Sequence, residues 1–346
     1  MNHRERVTRA IEFNGPDMCP VHQYIFPGAF WEHGQKLIDL VREYPDDFGT
    51  DLVPASLTED EAATDIIEWV DGWGTKWHRM RGYTAGEVVE PAIPNWDNWG
   101  DYQFPPDAAL EVYEGFARAL PERQQEWYVF IGGGGFFQHM QHMRGPANYF
   151  MDLAVDCREV HELADRMVAY NIRDMKGYFD ACARYDCSPD GVFFGDDWGS
   201  QNALLIHPDM WRRFFKPRYK AMFDVVKDAG AHVWFHSDGW LWEIIDDLIE
   251  IGVDVLNPQH ELMGMDRVAD KVRGRCCIRT DLDRQHIIPR GTPEEVVAHV
   301  KHAIKAFGSE NGGVILHGEV GQDVPFANIE AMYKAFRQYG KYPLAW

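Results

Sequence analysis

The sequence has few cysteines, a deficit of basic residues and no long apolar segment, and each shortage excludes a class of protein. Its 346 residues include six cysteines without a CxxC pair, which argues against a disulfide framework or a cysteine-rich zinc knot. The 34 Lys and Arg face 55 Asp and Glu, giving a net charge of −21, so neither nucleic acid nor an anionic membrane is expected as a partner. No apolar run approaches the roughly 20 residues of a spanning helix, and the charged N-terminus lacks a signal core. We therefore expect a cytoplasmic protein.

The second half of the chain alternates short β-branched or aromatic runs with helical patterns, which is typical of parallel βα units. Five candidate strands there and three upstream give the eight strands of a closed (β/α)₈ TIM barrel. The predicted strands cover residues 19–25, 51–55, 127–134, 191–197, 232–239, 253–258, 275–281 and 313–319. Residues 73–90 predict an N-terminal β-hairpin insertion. Since no linker or repeat is evident, residues 1–346 are predicted to form one α/β domain.

Polar residues at two predicted strand ends form the strongest candidate site. His236 and Asp238 end one strand, and His317 and Glu319 end another. Residues two apart on a strand point to the same side, so each pair can face the barrel mouth. Imidazole with carboxylate suits zinc, manganese, iron or nickel. The same spacing also fits neutral histidines that are hydrogen-bonded to neighbouring carboxylates, and both interpretations stay open on spacing alone.

Two further groups are candidates for proton transfer and substrate contact. Asp196 and Asp197 end another strand and point to opposite sides, so one of them faces the mouth as a general acid or base, or caps the following turn. The glycine run 132–135 matches neither phosphate-binding signature, and we interpret it as room for close approach. The predicted pocket lining comprises His22, Phe136, Phe137, His139, Trp198 and Asn257. Aromatic richness fits a core equally well.

Five segments carry a more specific signal: RERVTRAIEFNGPDMCPV, FGDDWGSQNALLIHPDMWRRFFKPRYK, HVWFHSDGWLWEIIDDLIEIGVDVLNP, LDRQHIIPRGTPEEV and GQDVPFANIEAMYKAF. In this order they resemble the uroporphyrinogen decarboxylase-like superfamily, over nearly the whole chain. The resemblance implies a single (β/α)₈ barrel. It also implies one of two activities: decarboxylation of uroporphyrinogen acetate groups without metal or cofactor, or methyl transfer in corrinoid-dependent systems.

The first activity is disfavoured by the N-terminal segment. The decarboxylases are similar to one another in a PVWxMRQAGR stretch, whose arginines meet substrate carboxylates. The corresponding segment here, CPVHQYIFPGAF (19–30), contains no arginine. An acidic protein without those arginines is poorly suited to an octa-anionic substrate, so true uroporphyrinogen decarboxylase is not expected.

The methyl-transfer branch resembles the chain in its metal-binding positions. That branch holds zinc with a His-x-Cys pair and a distant cysteine. His236 matches the histidine, Asp238 stands where the first cysteine would be, and His317 matches the distant cysteine. The resemblance thus implies that these three residues bind a metal. Replacing two thiolates by Asp and His gives a harder site, which suits coordination of an oxygen group better than activation of a thiol.

The sequence therefore predicts a metal-dependent methyltransferase that demethylates a small methoxylated or methylated substrate and passes the methyl group to a corrinoid on a separate protein. The predicted cofactor is a divalent metal, with zinc as the first candidate. Glu319 is predicted as a fourth ligand or a base, and Asp196 or Asp197 as the proton-transfer group. Two alternatives stay open: a metal-assisted decarboxylase or hydrolase of a small organic acid, and a non-catalytic ligand-binding barrel. A homodimer also stays open.

Overall fold

A computed structural model describes residues 1–50, Val53, 66–80 and 86–344. The helices span His3–Ile11 (α1), Pro27–His33 (α2), Gln35–Glu43 (α3), Leu110–Arg123 (α4), Phe137–Arg144 (α5), Pro146–Val155 (α6), Arg158–Ala183 (α7), Pro208–Met210 (α8), Lys216–Asp228 (α9), Ile245–Glu250 (α10), Met265–Val272 (α11), Ile287–Arg290 (α12), Pro293–Phe307 (α13) and Phe326–Tyr339 (α14). The strands span Tyr24–Ile25 (β1), Ile66–Val70 (β2), Lys76–Met80 (β3), Glu87–Glu90 (β4), Phe130–Gly132 (β5), Gly191–Gly195 (β6), His232–Ser237 (β7), Val255–Pro258 (β8), Cys277–Arg279 (β9), Val314–Ile315 (β10) and Glu319–Val320 (β11).

The barrel strands are parallel and follow one another around the sheet in chain order. Strands β5 to β10 form a six-stranded sheet, and β1 pairs in parallel with β11. A further parallel bridge joins Val21 to Leu316, so the segment that contains β10 and β11 runs alongside the first strand. The predicted strand 51–55 lies outside the described residues, apart from Val53. The other seven predicted strands are found, with helices between them, as a (β/α)₈ barrel requires.

Alternation along the strands separates the barrel interior from the helix layer. On β7, Trp234 belongs to an interior cluster with Phe48, Tyr128 and Phe130. Tyr128 and Trp234 are also hydrogen-bonded, since Trp234 Nε1 donates to Tyr128 Oη at 3.0 Å. His236 follows two residues later on the same side of the strand. The aromatic cluster therefore forms a packed floor, and His236 begins the polar mouth above it.

The insertion between the second and third predicted strands is a three-stranded antiparallel sheet, β2–β3–β4. The predicted hairpin corresponds to β3 and β4, and β2 extends it because an additional β-prone segment pairs with β3. The ring of Trp69 on β2 stacks on that of Trp77 on β3, with centroids 6.0 Å apart. Trp73 and Trp77 also contact the rings of His139 and His142 on α5, so the insertion is anchored beside the barrel.

The helical pattern predicted over residues 207–230 is interrupted by a π-helical turn at Trp211–Phe215, between α8 and α9. Pro217 lies at the start of α9, and its missing N–H prevents a regular helical hydrogen bond to the preceding turn. One cluster of buried apolar residues extends from Cys19 to Phe336. The assignment of residues 1–346 to a single domain stays a prediction. Among the described residues, no helix has both the length and the apolar character needed to cross a membrane.

Candidate metal centre at the barrel mouth

The register between β6 and β7 brings two carboxylates and an imidazole together. Gly195 pairs with His236, and the chain continues from these positions to Asp197 and Asp238. The backbone N–H of Asp238 donates to Asp197 Oδ1 at 2.8 Å, which fixes the two strand ends side by side. Asp197 therefore lies on the mouth side of its strand, next to His236.

The distances within this group would allow it to hold a metal ion. His236 Nε2 lies 3.6 Å from Asp238 Oδ1 and 3.8 Å from Asp197 Oδ1. One ligand atom from each residue can be chosen so that all three lie within 4.8 Å of one another. Ligands that are about 2.0–2.2 Å from a tetrahedral ion lie roughly 3.3–3.6 Å apart, so only small side-chain movements would complete the set. All three side chains are half-buried.

The hydrogen bonds of Asn257 determine which nitrogen of His236 can bind a cation. The amide Nδ2 of Asn257 donates to the carbonyl oxygens of Arg279 and Thr280, at 3.0 and 3.1 Å. Its Oδ1 therefore faces His236 Nδ1, at 2.8 Å, and that nitrogen must be the donor. Nε2 of a neutral His236 then directs its lone pair toward two carboxylates, an arrangement that a cation stabilises. The residues thus fit a divalent ion, and Asn257 orients the ring of His236 as the partners of metal-bound histidines do.

Arg284 is a site residue that the sequence analysis missed. Its Nη2 forms an ion pair with Asp238 Oδ1 at 2.5 Å, and its Nη1 donates to Glu319 Oε2 at 3.1 Å. Its Nε lies 3.9 Å from Asp281 Oδ2. Arg284 therefore joins carboxylates from three strand ends. The available signal was the Asp281-x-x-Arg284 spacing, which brings the guanidinium back toward the mouth from the loop after β9.

Burial shifts the acid–base properties of these carboxylates. Desolvation raises the pKa of Glu319, and the charge of Arg284 opposes that shift while the charges of Asp281 and Asp238 add to it. Desolvation likewise raises the pKa of Asp281, against the opposing charge of Arg284. Glu319, Asp281 and Asp238 thus lie close together at the mouth, and their negative charges stabilise a positively charged group there.

His317 is more buried than the three-residue group. Its Nδ1 is 2.9 Å from the carbonyl oxygen of His22 and 3.0 Å from Nη2 of Arg279. Burial, followed by the charge of Arg279, holds the pKa values of His317 and His22 well below their usual range. Burial also lowers the pKa of Arg279, to about 10. His317 is not one of the three grouped residues, and its role as a ligand stays a prediction.

Asp196 points away from the mouth, in contrast to Asp197. Its Oδ2 accepts hydrogen bonds from Tyr219 Oη at 2.6 Å and from the backbone N–H of Phe136 at 3.2 Å, and its Oδ1 accepts from the N–H of Gln138 at 2.8 Å. Burial raises its pKa to about 6, although the bond from Tyr219 opposes the shift. Gln138 also donates from Nε2 to Asp197 Oδ2, at 2.7 Å. Asp196 thus connects β6 to α9 and the start of α5, and its role in proton transfer stays a prediction.

A comparison with protein-family models shows to which family this barrel belongs. The family model described as uroporphyrinogen decarboxylase (URO-D) matches residues 74–339. This chain belongs to the URO-D family. The resemblance found in the sequence is therefore confirmed, and membership of an enzyme family supports an enzymatic function. No curated protein matches the chain.

One solved structure confirms the fold. A methyltransferase from Methanosarcina mazei superposes with a TM-score of 0.68 over 98% of this chain and 99% of its own, at 15% sequence identity. The similarity to a Xanthomonas albilineans dihydropteroate synthase is lower, with a TM-score of 0.28 at 12% identity over 54% and 58% of the two chains. A xylanase from Gloeophyllum trabeum likewise gives 0.28, at 9% identity over 67% and 99%. Only the first match carries weight, and it supports the predicted TIM barrel.

Within this URO-D family barrel, the predicted aromatic lining lies in the helix layer. Phe136, Phe137 and Trp198 are fully buried, and the rings of Phe137 and Trp198 stack with centroids 3.8 Å apart. Phe215 packs edge-on against Trp198, which further covers these rings. Burial lowers the pKa of His139 to about 4, and this ring contacts Trp73 of the insertion. Substrate contact by these residues stays a prediction.

The arginines at the mouth come from a different part of the chain than the arginines in the PVWxMRQAGR stretch of the decarboxylases. Segment 19–30 contributes His22, whose ring packs on Phe48 at 4.2 Å, and has no arginine. The positive charges come from Arg279 on β9 and Arg284 in the loop that follows it. The URO-D barrel therefore presents a polar mouth with its own charge arrangement.

Proposed function

We propose that this URO-D family protein is a metal-dependent methyltransferase that takes a methyl group from a small methoxylated or methylated substrate. The methyl acceptor in this proposal is a corrinoid carried by a separate protein. The observation that carries the proposal is the group formed by Asp197, His236 and Asp238 at the carboxyl end of the barrel strands. Active sites of (β/α)₈ enzymes lie at this end of the barrel. The overall similarity to a methyltransferase from Methanosarcina mazei supports the choice of reaction.

In this proposal the metal is bound by His236 Nε2 and by oxygens of Asp238 and Asp197. Zinc is the first candidate, because it accepts imidazole and carboxylate ligands without redox chemistry. Once bound, the ion would supply Lewis acidity toward a substrate oxygen or nitrogen. His317 is retained as a proposed, more buried ligand, and its approach to the ion would require the contacts with His22 and Arg279 to rearrange.

The remaining residues would orient the metal ligands and transfer a proton. Asn257 holds the Nδ1 proton of His236, and Gln138 holds Asp197 through Oδ2. Glu319 is the proposed proton-transfer group, because it is at the mouth and its pKa is raised by burial. It would deliver a proton to the substrate heteroatom when the bond between that atom and the methyl carbon breaks. The heteroatom keeps the bonding electron pair, and the methyl group would pass to the acceptor corrinoid, whose cobalt(I) would supply the electron pair of the new bond.

The test uses the full chain, loaded with Zn²⁺ and supplied with cob(I)alamin as a stand-in methyl acceptor. Methoxybenzoates and methylated amines serve as donors, and methylcobalamin and the demethylated product are both measured. We expect product with the wild type and a loss of at least 100-fold in His236→Ala. His302→Ala is the matched control, because His302 lies on the surface beside Asp266. A metal-loaded wild type that demethylates none of these donors would contradict the proposal.

A second candidate is metal-assisted decarboxylation or hydrolysis of a small organic acid. Two guanidinium groups near the mouth favour it, since Arg279 and Arg284 could bind a carboxylate. The same assay, run without cobalamin on small carboxylic acids, distinguishes the two reactions by the product formed. If the protein binds such acids without converting them, the non-catalytic barrel would be favoured.

A further inference from the structure

Arg284 and His236 face the same oxygen of Asp238. Arg284 Nη2 lies 2.5 Å from Asp238 Oδ1, and His236 Nε2 lies 3.6 Å from that oxygen. The second carboxylate of the group, Asp197, is near His236 through its own Oδ1. A guanidinium that supported Asp238 as a metal ligand would be expected on the other oxygen, leaving Oδ1 for the ion. In this structure, Arg284 and an ion bound beside His236 would both have to contact Asp238 Oδ1.

We propose that Arg284 competes with a divalent cation for Asp238 Oδ1 and thereby sets the cation affinity of the mouth. This inference rests on the metal site in the proposed function. An ion bound to Oδ1 would lie about 2.0–2.2 Å from it, so the ion and the guanidinium would be close neighbours of like charge. Cation binding therefore requires Arg284 to release Asp238.

The structure provides alternative partners for the released guanidinium. Glu319 Oε2 already accepts a hydrogen bond from Nη1 at 3.1 Å, and Asp281 Oδ2 lies 3.9 Å from Nε. Arg284 and Asp281 also line a cavity of about 180 Å³, which gives the side chain room to move. Asp281 Oδ2 is buried and has no hydrogen-bond partner among the described residues. Arg284 can thus leave Asp238 without losing all of its counter-charges.

The test is the affinity of the full chain for Zn²⁺, measured by competition with a chromophoric chelator at fixed pH and ionic strength. Arg284→Gln should bind Zn²⁺ at least tenfold more tightly than the wild type, about 1.4 kcal/mol. Arg284→Met, which also removes the charge and keeps an aliphatic stem, should behave in the same way. Arg275→Gln is the matched control, because this surface arginine pairs with Asp246 on α10, and its affinity should equal that of the wild type. Circular dichroism checks that each variant is folded.

Each result decides between distinct conclusions. Tighter binding in both Arg284 variants, with Arg275→Gln unchanged, supports competition. Equal or weaker binding in a folded Arg284 variant overturns this inference and leaves the metal site intact, and weaker binding would show that Arg284 supports Asp238 as a ligand. If neither the wild type nor any variant binds Zn²⁺, both the inference and the proposed metal site are overturned.

Discussion

Replacing Asn257 should both weaken metal binding and destabilise the fold, and the two effects can be measured separately. Asn257 is 2% exposed and makes two hydrogen bonds from Nδ2 to carbonyl oxygens of the β9 segment, while its Oδ1 orients His236 and accepts a hydrogen bond from Nη1 of the buried Arg279. Asn257→Ala would leave the carbonyl oxygens of Arg279 and Thr280 without these donors, and a buried unsatisfied group costs about 1–3 kcal/mol. Partial relaxation and water entry reduce the sum, so we expect the free energy of unfolding to fall by about 2–4 kcal/mol.

The effect on the metal follows from the loss of orientation at His236. Removing a hydrogen-bond partner of a metal-bound histidine typically weakens metal binding by about 10–100-fold, and we expect that range for Asn257→Ala. Urea denaturation measures the stability, and chelator competition measures the Zn²⁺ affinity.

Asn328 provides a matched control for this experiment. It is also 2% exposed, and its Nδ2 donates to the carbonyl oxygens of Ile288 and Gly291, at 2.9 and 2.8 Å. Asn328→Ala should therefore lose a comparable or smaller free energy of unfolding, because Asn257→Ala also removes the acceptor of Arg279 Nη1, and it should keep its Zn²⁺ affinity. If the two variants lose Zn²⁺ affinity equally, the orienting role of Asn257 is refuted, because general destabilisation would explain the result.

Two further predictions concern the strand ends beside the site. Because burial raises the pKa of Asp196 to about 6, the folded state binds a proton more tightly than the unfolded chain. The free energy of unfolding of the wild type relative to Asp196→Asn should thus fall by about 2–2.5 kcal/mol as pH rises from 4 to 7, and a constant difference in urea titrations would contradict this. Gly239 has φ +79° and would direct a Cβ into the backbone of Gly199, so Gly239→Ala should lose at least about 3 kcal/mol and weaken Zn²⁺ binding. Gly230→Ala, at φ +73° in open space, should lose only about 1–2 kcal/mol in the same denaturation assay and keep its Zn²⁺ affinity.

The sequence was sufficient to predict the barrel because each βα unit carries its own pattern. The predicted helix at Met265–Val272 has those bounds in the structure, and the strand predicted over 253–258 contains β8. These patterns depend on local alternation and on helix-ending glycines, which a single sequence displays. The pairing of β2 with the predicted hairpin depends on contacts across strands, and those were not visible.

The site was only partly predictable, for a related reason. His236 and Asp238 could be paired because their spacing on one strand fixes their side. The choice between Asp196 and Asp197 required the register of β6 against β7, in which Gly195 pairs with His236. Arg284 enters from an irregular loop, so no periodicity points to it.

The aromatic residues show a different limit of sequence reasoning. Phe137 and Trp198 have the composition of a pocket wall and equally that of a core. In the structure their stacked rings are covered by Phe215 from the π-helical turn. Packing between distant parts of the chain decides whether such a residue lines a pocket or lies in the core, and a single sequence does not show that packing.

The central claim, that the barrel mouth binds a divalent metal through His236, is tested most directly by metal analysis of the purified chain after Zn²⁺ reconstitution and dialysis. We expect about one ion per chain in the wild type and in the surface control His302→Ala. Folded His236→Ala should retain almost none, and His317→Ala measured beside it tests the more buried predicted ligand. No bound metal in the wild type, or full retention in His236→Ala, would contradict the account.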